Sequence, residues 1–482
     1  MENEQTYYFG SVINGKEIIG NGRKDLEIVN PYNGDVIGKI SCATIQDVED
    51  AIENADQVYN DTMKKMPAHE RSTILRKTAD LLEGKFEQFT KVLTLEAGKP
   101  IQESRGEVVR AVQVLRFSSE LAKNISGEQI PLDSAIGAKN QIGFTKRVPL
   151  GVVAGITPFN FPLNLGLHKV APAIASGNTV VLKPAEKTPL STALLYRLFS
   201  EAGLPKGAFN ILMGPGTELV EPLVTHPLVQ KVTFTGSPVV GWKIDEMAKR
   251  KRVTLELGSN AANIIFEDCE VKQAAEAMIS GGFTFAGQAC IAAQRIYVHE
   301  QVVDEFLDRF VTGLQKFKIG DPREETTTLG PMITEEAAQR AKSWIKEAVD
   351  QGATIVTGGN RNGAFIEPTV ITGVTQRMKV VCQEVFAPIV SIIPFSDEEE
   401  VIKKVNDSEF GLHAGIFTTN INRAMRVADR LETTGVWINE ASVRRYDHIP
   451  YGGMKNSGKG KEGIKYSIEG MTDIKFIGIN LQ

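Results

Sequence analysis

"VPLGVVAGITPFNFPLNLGLHKVAPAIASGNTVVLK", residues 148–183, is the stretch that decides the fold class. It opens on "VPLGVVAGI", short, apolar and rich in β-branched side chains, which predicts a buried strand. After "TPFNFP" comes "LNLGLHKVAPAIASG", apolar at helical spacing and stopped by Gly177 and Asn178. "TVVLK" predicts a second strand. Working outward, "STALLYRLFSEAG" predicts a helix ending at Gly203, "FNILMG" and "KVTFTG" strands, residues 238–250 a helix, and "VTLELG" a further strand. Strands alternating with helices of ten to fifteen residues indicate a parallel, doubly wound sheet, the architecture of nucleotide-binding domains. Fold alone never fixes function.

The second half repeats the alternation. "ANIIF", "RIYVH", "ATIVTGG", "IVSIIPF" and "HAGIFT" are predicted strands, separated by amphipathic stretches at residues 271–279 and 335–348. Helical segments rich in Lys and Glu fill residues 46–125. A chain of 482 residues exceeds what one hydrophobic core supports, so two or three closely packed domains are expected. A net charge of −5 gives no field that would draw nucleic acid or an anionic membrane, and no apolar run is long enough to span a bilayer. The start, "MENEQTYYFGSV", has no basic segment followed by an apolar one, so no signal peptide is expected. The four cysteines, Cys42, Cys269, Cys290 and Cys382, form no C-x-x-C pair. They suit a reducing, cytoplasmic setting rather than a disulfide framework. Scattered histidines give no reason to expect a metal.

Chemistry-bearing residues stand at predicted strand ends. In "FTGSPVVG" a glycine turn, Gly236 and Ser237, precedes a helix opening at Pro238, leaving backbone N–H groups free to face a pyrophosphate. "MGPGTEL", with Gly214 and Gly216, lacks the third glycine of a dinucleotide fingerprint. In "LKPAEKTP" a carboxylate, Glu186, follows a strand and Lys183. It can accept hydrogen bonds from ribose hydroxyls and would repel a 2′-phosphate, which tilts the cofactor towards NAD, with NADP still possible beside Lys183 and Lys187. Cys290, in "FTFAGQACIAAQ", sits among small and apolar residues and needs a base or an electropositive setting to act as a nucleophile. Glu256, in "TLELGSN", is an acid at an apolar strand end, where a raised pKa would suit a general base. Asn160, between the prolines of "TPFNFP", can hold a developing oxyanion. Taken singly, each has a plain alternative: a core thiol, a strand-end charge pairing with Lys251 or Arg252, a turn asparagine, an ordinary β–α turn.

Taken together, "PFNFP", "LKPAEKTP", "FTGS", "LELG", "GQAC", "EVFAP" and "PYGGMKNSG" run in the order seen in NAD(P)-dependent aldehyde dehydrogenases, and the resemblance spans roughly residues 10–480. It implies an α/β fold in three parts. A Rossmann-like doubly wound cofactor domain would take residues 1–126 and 147–255. An α/β catalytic domain would take 256–445, and a small β-ribbon oligomerisation arm 127–146 and 466–482. By the same resemblance Cys290 is the nucleophile, Asn160 and the Cys290 N–H hold the oxyanion, and Glu256 activates the hydrolytic water. Thr157, Pro158, Lys183, Glu186, Gly216, Gly236, Ser237, Leu257, Glu384 and Phe386 match cofactor contacts. Relatives that pass the acyl group to coenzyme A lack a glutamate at the Glu256 position, so hydrolytic release is expected. One departure is Ser259, where the family usually has glycine; a positive φ there would strain it.

Arg110 and Arg445 appear at positions matching the substrate tunnel, together with Phe161 and Tyr451. Two guanidinium groups suit a carboxylate, phosphate or sulfonate tail. A short anionic or hydroxylated aldehyde is expected: a semialdehyde, lactaldehyde, or a phosphorylated or sulfonated three-carbon aldehyde. The competing reading pairs both arginines with surface acids such as Glu107 and Asp447, giving an enzyme for apolar aldehydes. Against a phosphate site, Ala289 precedes the nucleophile where the branch acting on glyceraldehyde 3-phosphate has a further arginine. A non-catalytic relative would have lost Cys290 or Glu256. A homodimer or homotetramer is the expected assembly.

Overall fold

The computed structural model describes residues 6–20 and 22–481. Two sheets dominate. The first runs, in spatial order, Gly458–Lys459, Arg252–Glu256, Val229–Thr235, Val152–Ile156, Thr179–Lys183, Phe209–Ile211, Ser11–Ile13 and Lys16–Ile18. The five strands from Arg252–Glu256 to Phe209–Ile211 are mutually parallel, with antiparallel strands on both edges. Every residue of Val152–Ile156 and Thr179–Lys183 is buried, as expected of parallel strands covered on both faces. One face carries the helices Ala68–Gly84, Ile101–Ala122, Pro162–Ser176 and Leu190–Glu201, and the other Ile45–Asp61, Gly216–Thr225 and Pro238–Ala248. The strand order reverses between Val152–Ile156 and Val229–Thr235. A crevice therefore opens beyond their carboxyl ends, the usual place for a ligand in an open α/β sheet.

The second sheet runs Thr354–Thr357, Thr369–Thr372, Ile389–Phe395, Arg295–His299, Ala262–Ile265, His413–Phe417 and Gly435–Ile438. It is parallel except for its first, antiparallel edge strand. A third, antiparallel sheet pairs Gln141–Pro149 with Thr472–Asn480 over its whole length and with Gln129–Ile130. Among the described residues no helix is long and apolar enough to cross a membrane.

The expected elements form, with two corrections. "VPLGVVAGI" is not one strand: Gln141–Pro149 ends in the ribbon, and Gly151, at φ 132°, turns the chain before Val152 enters the first sheet. A side chain there would be strained, and the apolar run hides the turn. At the other end, residues 466–470 do not belong to the ribbon. The short helix Ile464–Gly470 buries Ile464 and Ile468, with Met471 beyond it, in the core beneath Pro162–Ser176, so the ribbon strand starts at Thr472. A helix of two turns and the two-residue strand Gly458–Lys459 are too short for periodicity to reveal.

The helix Pro162–Ser176 is buried at every position, and its start is fixed by a charge from a neighbouring helix. Glu107 accepts hydrogen bonds from the N–H groups of Leu163 and Asn164, both at 3.1 Å, and pairs with Lys99. Both side chains of that pair are fully buried. Glu107→Ala strands the lysine charge in the core and is expected to lower stability by about 3–5 kcal/mol. Glu83→Ala, which breaks the exposed pair with Arg116, should stay within about 1 kcal/mol. Urea unfolding of the two variants checks the contrast.

Candidate active site

Both sheets send residues into one cavity of about 370 Å³. Its walls include Cys290, Glu256, Asn160, Pro158, Phe161, Gly236, Ser237, Leu257, Glu384, Phe386, Arg110, Arg445 and Tyr451. Of the residues singled out from the sequence, Thr157, Lys183, Glu186 and Gly216 lie outside it. These four form a neighbouring group: Thr157 N–H donates to the Lys183 carbonyl at 3.2 Å, and Gly216 N–H donates to Glu186 Oε2 at 3.1 Å. Burial pulls the Lys183 ammonium down to about 8, and Glu186 opposes that.

Cys290 follows an unusual piece of backbone. Phe285, Ala286 and Gly287 are all left-handed, at φ 48°, 53° and 69°. A methyl group on Gly287 would lie 2.2 Å from the Ala387 carbonyl oxygen. Such strain persists only where the surroundings over-determine it. Glu103 supplies part of that constraint by accepting from Phe285 N–H at 3.0 Å, and the buried Gln288 side chain donates to the Phe285 carbonyl at 3.2 Å and accepts from Ile333 N–H at 2.9 Å. Asn160 Nδ2 donates to the Gln288 carbonyl at 2.9 Å, and Asn160 Oδ1 accepts from Phe161 N–H, so its amide NH₂ is aimed at the cysteine loop. The Cys290 sulfur is 2.8 Å from the Tyr451 hydroxyl. Burial pushes the thiol up to about 11; Tyr451 and Arg445 pull it back, and Glu384 and Glu256 push it further.

Glu256 ends its strand with both carboxylate oxygens buried and making no hydrogen bond among the described residues. Burial, then the nearby Glu462 charge, raise its pKa well above the ordinary carboxylate value, while Lys169, Arg445 and Lys461 oppose them. Gly452, at φ 148°, leaves the room: a methyl group there would lie 2.7 Å from Glu256 Oε1. Glu256 does not pair with Lys251, whose ammonium donates to the His226 and Val229 carbonyls, nor with Arg252, which pairs with Asp473. Beside Glu256, Lys169 pairs with Glu462 and donates to Thr235 Oγ1 at 2.7 Å.

The two arginines differ. Arg110 is held by Asp447 through two hydrogen bonds, at 2.7 and 3.0 Å, but Asp447 is a buried residue that also binds Asn164 and His168. Glu107 is likewise buried, with Lys99, so the acids expected on the surface are not there. Arg445 is buried, with Nε and Nη2 making no hydrogen bond among the described residues. Its nearest carboxylate oxygen, Glu462 Oε2, is 3.7 Å away, and its guanidinium lies 3.7 Å over the Tyr451 ring.

The remaining walls fit a dinucleotide. Ser237 caps the helix Pro238–Ala248 by accepting from Val240 N–H, and Gly236 and Ser237 bring the start of that helix to the cavity wall. Glu384 accepts from Ser259 N–H at 3.0 Å, and burial raises its carboxyl to about 7. Ser259 has no positive φ, so the expected strain is absent. A methyl group on Gly258 would lie 2.3 Å from Glu384 Oε2, and Phe386, at φ 48°, sets its ring edge-on to Phe159. Among the described residues no group of acids, histidines and cysteines could hold a metal ion. Lys169, His168, Glu462 and Glu103 were not singled out from the sequence. Two basic side chains inside "LNLGLHKVAPAIAS", otherwise without a polar face, were the available signal for the first two.

The profile of the aldehyde dehydrogenase family matches residues 18–477. The chain is 46% identical over 477 residues to the 3-sulfolactaldehyde dehydrogenase of Priestia megaterium, with 99% of each chain covered. It superposes with a TM-score of 0.96 on aldehyde dehydrogenase 21 from Physcomitrella patens in complex with the reaction product succinate, at 40% identity and 99% coverage of both chains. The glyceraldehyde-3-phosphate dehydrogenase of Methanocaldococcus jannaschii complexed with NADP gives a TM-score of 0.92 at 37% identity, covering 96% of this chain and all of that one. The chain belongs to the aldehyde dehydrogenase family and is an NAD(P)-dependent oxidoreductase.

Proposed function

We propose that the enzyme oxidises a short aldehyde carrying an anionic tail (carboxylate, sulfonate or phosphate) to the carboxylic acid, with Cys290 as nucleophile. The observation that carries the substrate class is the buried Arg445 guanidinium, whose Nε and Nη2 lack hydrogen-bond partners beside the thiol. A desolvated cation whose nearest anion, Glu462, stands 3.7 Å away without a hydrogen bond is costly, and a ligand carboxylate or sulfonate lowers that cost through charge-assisted hydrogen bonds. The 3-sulfolactaldehyde and succinate in the names of two relatives are anions of this kind.

In the mechanism the Cys290 thiolate, its proton having passed to water, bonds to the aldehyde carbon as the carbonyl π electrons move onto oxygen. The oxygen anion so formed accepts hydrogen bonds from Asn160 Nδ2 and from the Cys290 N–H. Lys183, Glu186, the helix start at Ser237, Glu384 and Phe386 would hold the dinucleotide, and when bound it supplies the acceptor for the hydride that leaves this carbon. Glu186 favours NAD over NADP by repelling a 2′-phosphate. Glu256 then takes a proton from the water that attacks the thioester, the carbon–sulfur bond breaks, and the acid leaves. Its two free oxygens and its place in the cavity suit that task, and favour water over coenzyme A as the acyl acceptor. Four free thiols, one of which must stay reduced to react, suit the cytoplasm.

Because the Glu256 pKa is raised, the carboxylate form that the hydrolysis needs accumulates only above it. Turnover limited by hydrolysis should therefore rise as pH climbs through that raised value, and fall away below it. Glu256→Gln should keep one rapid burst of NADH and cut steady-state turnover by about 10²–10⁴-fold. Full turnover in a rapid-mixing assay of that variant would misassign the base.

Arg445→Gln should raise KM for succinate semialdehyde and 3-sulfolactaldehyde by about 10–100-fold, the loss of one charged hydrogen bond, and change uncharged lactaldehyde far less. A panel with these aldehydes and hexanal, following NADH and NADPH in parallel, checks both the tail and the dinucleotide. Efficient oxidation of hexanal by the unmodified enzyme would count for the apolar reading.

We also propose assembly through the ribbon. Ile474, Phe476 and Ile479 on Thr472–Asn480, with Ile142 opposite, are exposed apolar side chains on one small sheet, the kind of surface a soluble protein covers with a second copy. Ile474→Asp combined with Phe476→Asp should shift the species seen by light scattering from an oligomer to a monomer.

A further inference from the structure

Tyr451 touches both halves of the chemistry. Its hydroxyl lies 2.8 Å from the Cys290 sulfur, and its ring lies 3.7 Å beneath the Arg445 guanidinium. The His413 ring packs edge-on at 5.0 Å, and reciprocal backbone hydrogen bonds with Glu462, at 3.0 and 2.6 Å, hold the Tyr451 main chain in place. The side chain is buried, so no bulk water competes for its hydroxyl.

We propose that Tyr451 is a positioning residue for the nucleophile: its hydroxyl donates a hydrogen bond to the Cys290 sulfur, while its ring carries the cation that recognises the substrate's tail. The inference rests on Cys290 being the nucleophile. A phenol hydrogen bond is stronger to a thiolate than to a thiol, so it favours the reactive form and fixes the direction in which the sulfur presents its lone pairs. The groups facing this pair are Arg445, Glu256, Glu384 and His413. Arg445 favours the thiolate, the two carboxylates oppose it when ionised, and His413 stays neutral because burial lowers its pKa to about 4. Tyr451 keeps its own proton, since burial and the neighbouring Cys290 raise its pKa well above 10. It therefore acts as a donor and is not the acceptor of the thiol proton. The ring has a separate duty: the guanidinium needs a π face under it, which phenylalanine supplies equally.

The test is the pH dependence of Cys290 alkylation by iodoacetamide in the full-length enzyme, in which the thiolate displaces iodide, read by peptide mass spectrometry. Tyr451→Phe should move the midpoint up by about one to two pH units, the loss of a hydrogen bond to a charged group. At pH 7 alkylation and kcat/KM should both fall about tenfold or more. The KM ratio between succinate semialdehyde and lactaldehyde should stay as it was, because the Arg445 platform remains. As a near-isosteric second probe, 3-fluorotyrosine at position 451, a stronger donor, should move the midpoint down. An unchanged alkylation midpoint in either protein overturns the inference. Cys290→Ser separates the two readings. If it still turns over aldehyde, the nucleophile itself is misassigned; if it is inactive while both Tyr451 proteins titrate like the parent, only the role of Tyr451 fails.

Discussion

A carboxylic acid, a thiol and a guanidinium share one cleft, and burial there sets the behaviour of each. Burial raises Glu256, Cys290 and Glu384 together, so the site resists holding negative charge in its resting state. The Arg445 charge favours the Cys290 thiolate, and it remains only loosely matched by Glu462 at 3.7 Å. Other charges are closely paired: Lys169 with Glu462, Lys99 with Glu107, and Arg110 with Asp447. Close pairs hold the scaffold, and the loosely matched groups are left for chemistry.

The precision of the cleft comes from backbone that ordinary propensity would avoid. Three successive left-handed residues precede Cys290, and Phe386 on the opposite wall is left-handed too. Phe285 is pinned by an element distant in sequence. Glu103 reaches Phe285 from the start of the helix Ile101–Ala122, whose Glu107 caps Pro162–Ser176 one turn further along. One helix thus fixes both the cysteine loop and the helix that starts after Asn160. A change on its buried face would be felt at the sulfur without touching it.

The doubly wound sheet, the helices that cover it and the strand-end positions of Lys183, Gly236 and Glu256 are legible in the chain, because each strand is a short apolar run and each helix a pattern of period 3.6, bounded by glycine or proline. Where the pattern is broken by a single residue, as at Gly151, or is shorter than a period, as at Gly458–Lys459, it cannot be read. Residues 458–470 belong to the first sheet and its core only because the folded chain returns there. The ribbon was expected from the family resemblance alone, and the ends of its pairing, Gln141–Pro149 with Thr472–Asn480, follow from packing.

By itself the sequence singled out reactive and polar side chains and where on the local elements they stand: Cys290 after an amphipathic stretch, Glu256 and Lys183 at strand ends, Asn160 in a proline-stiffened turn. Tertiary structure alone decided how they meet. Arg110 and Arg445 look alike in the sequence, yet one is matched by a buried Asp447 and the other lies loosely paired over Tyr451. Charge compensation depends on partners hundreds of residues away, through a dielectric that only folding creates, and no local pattern encodes it.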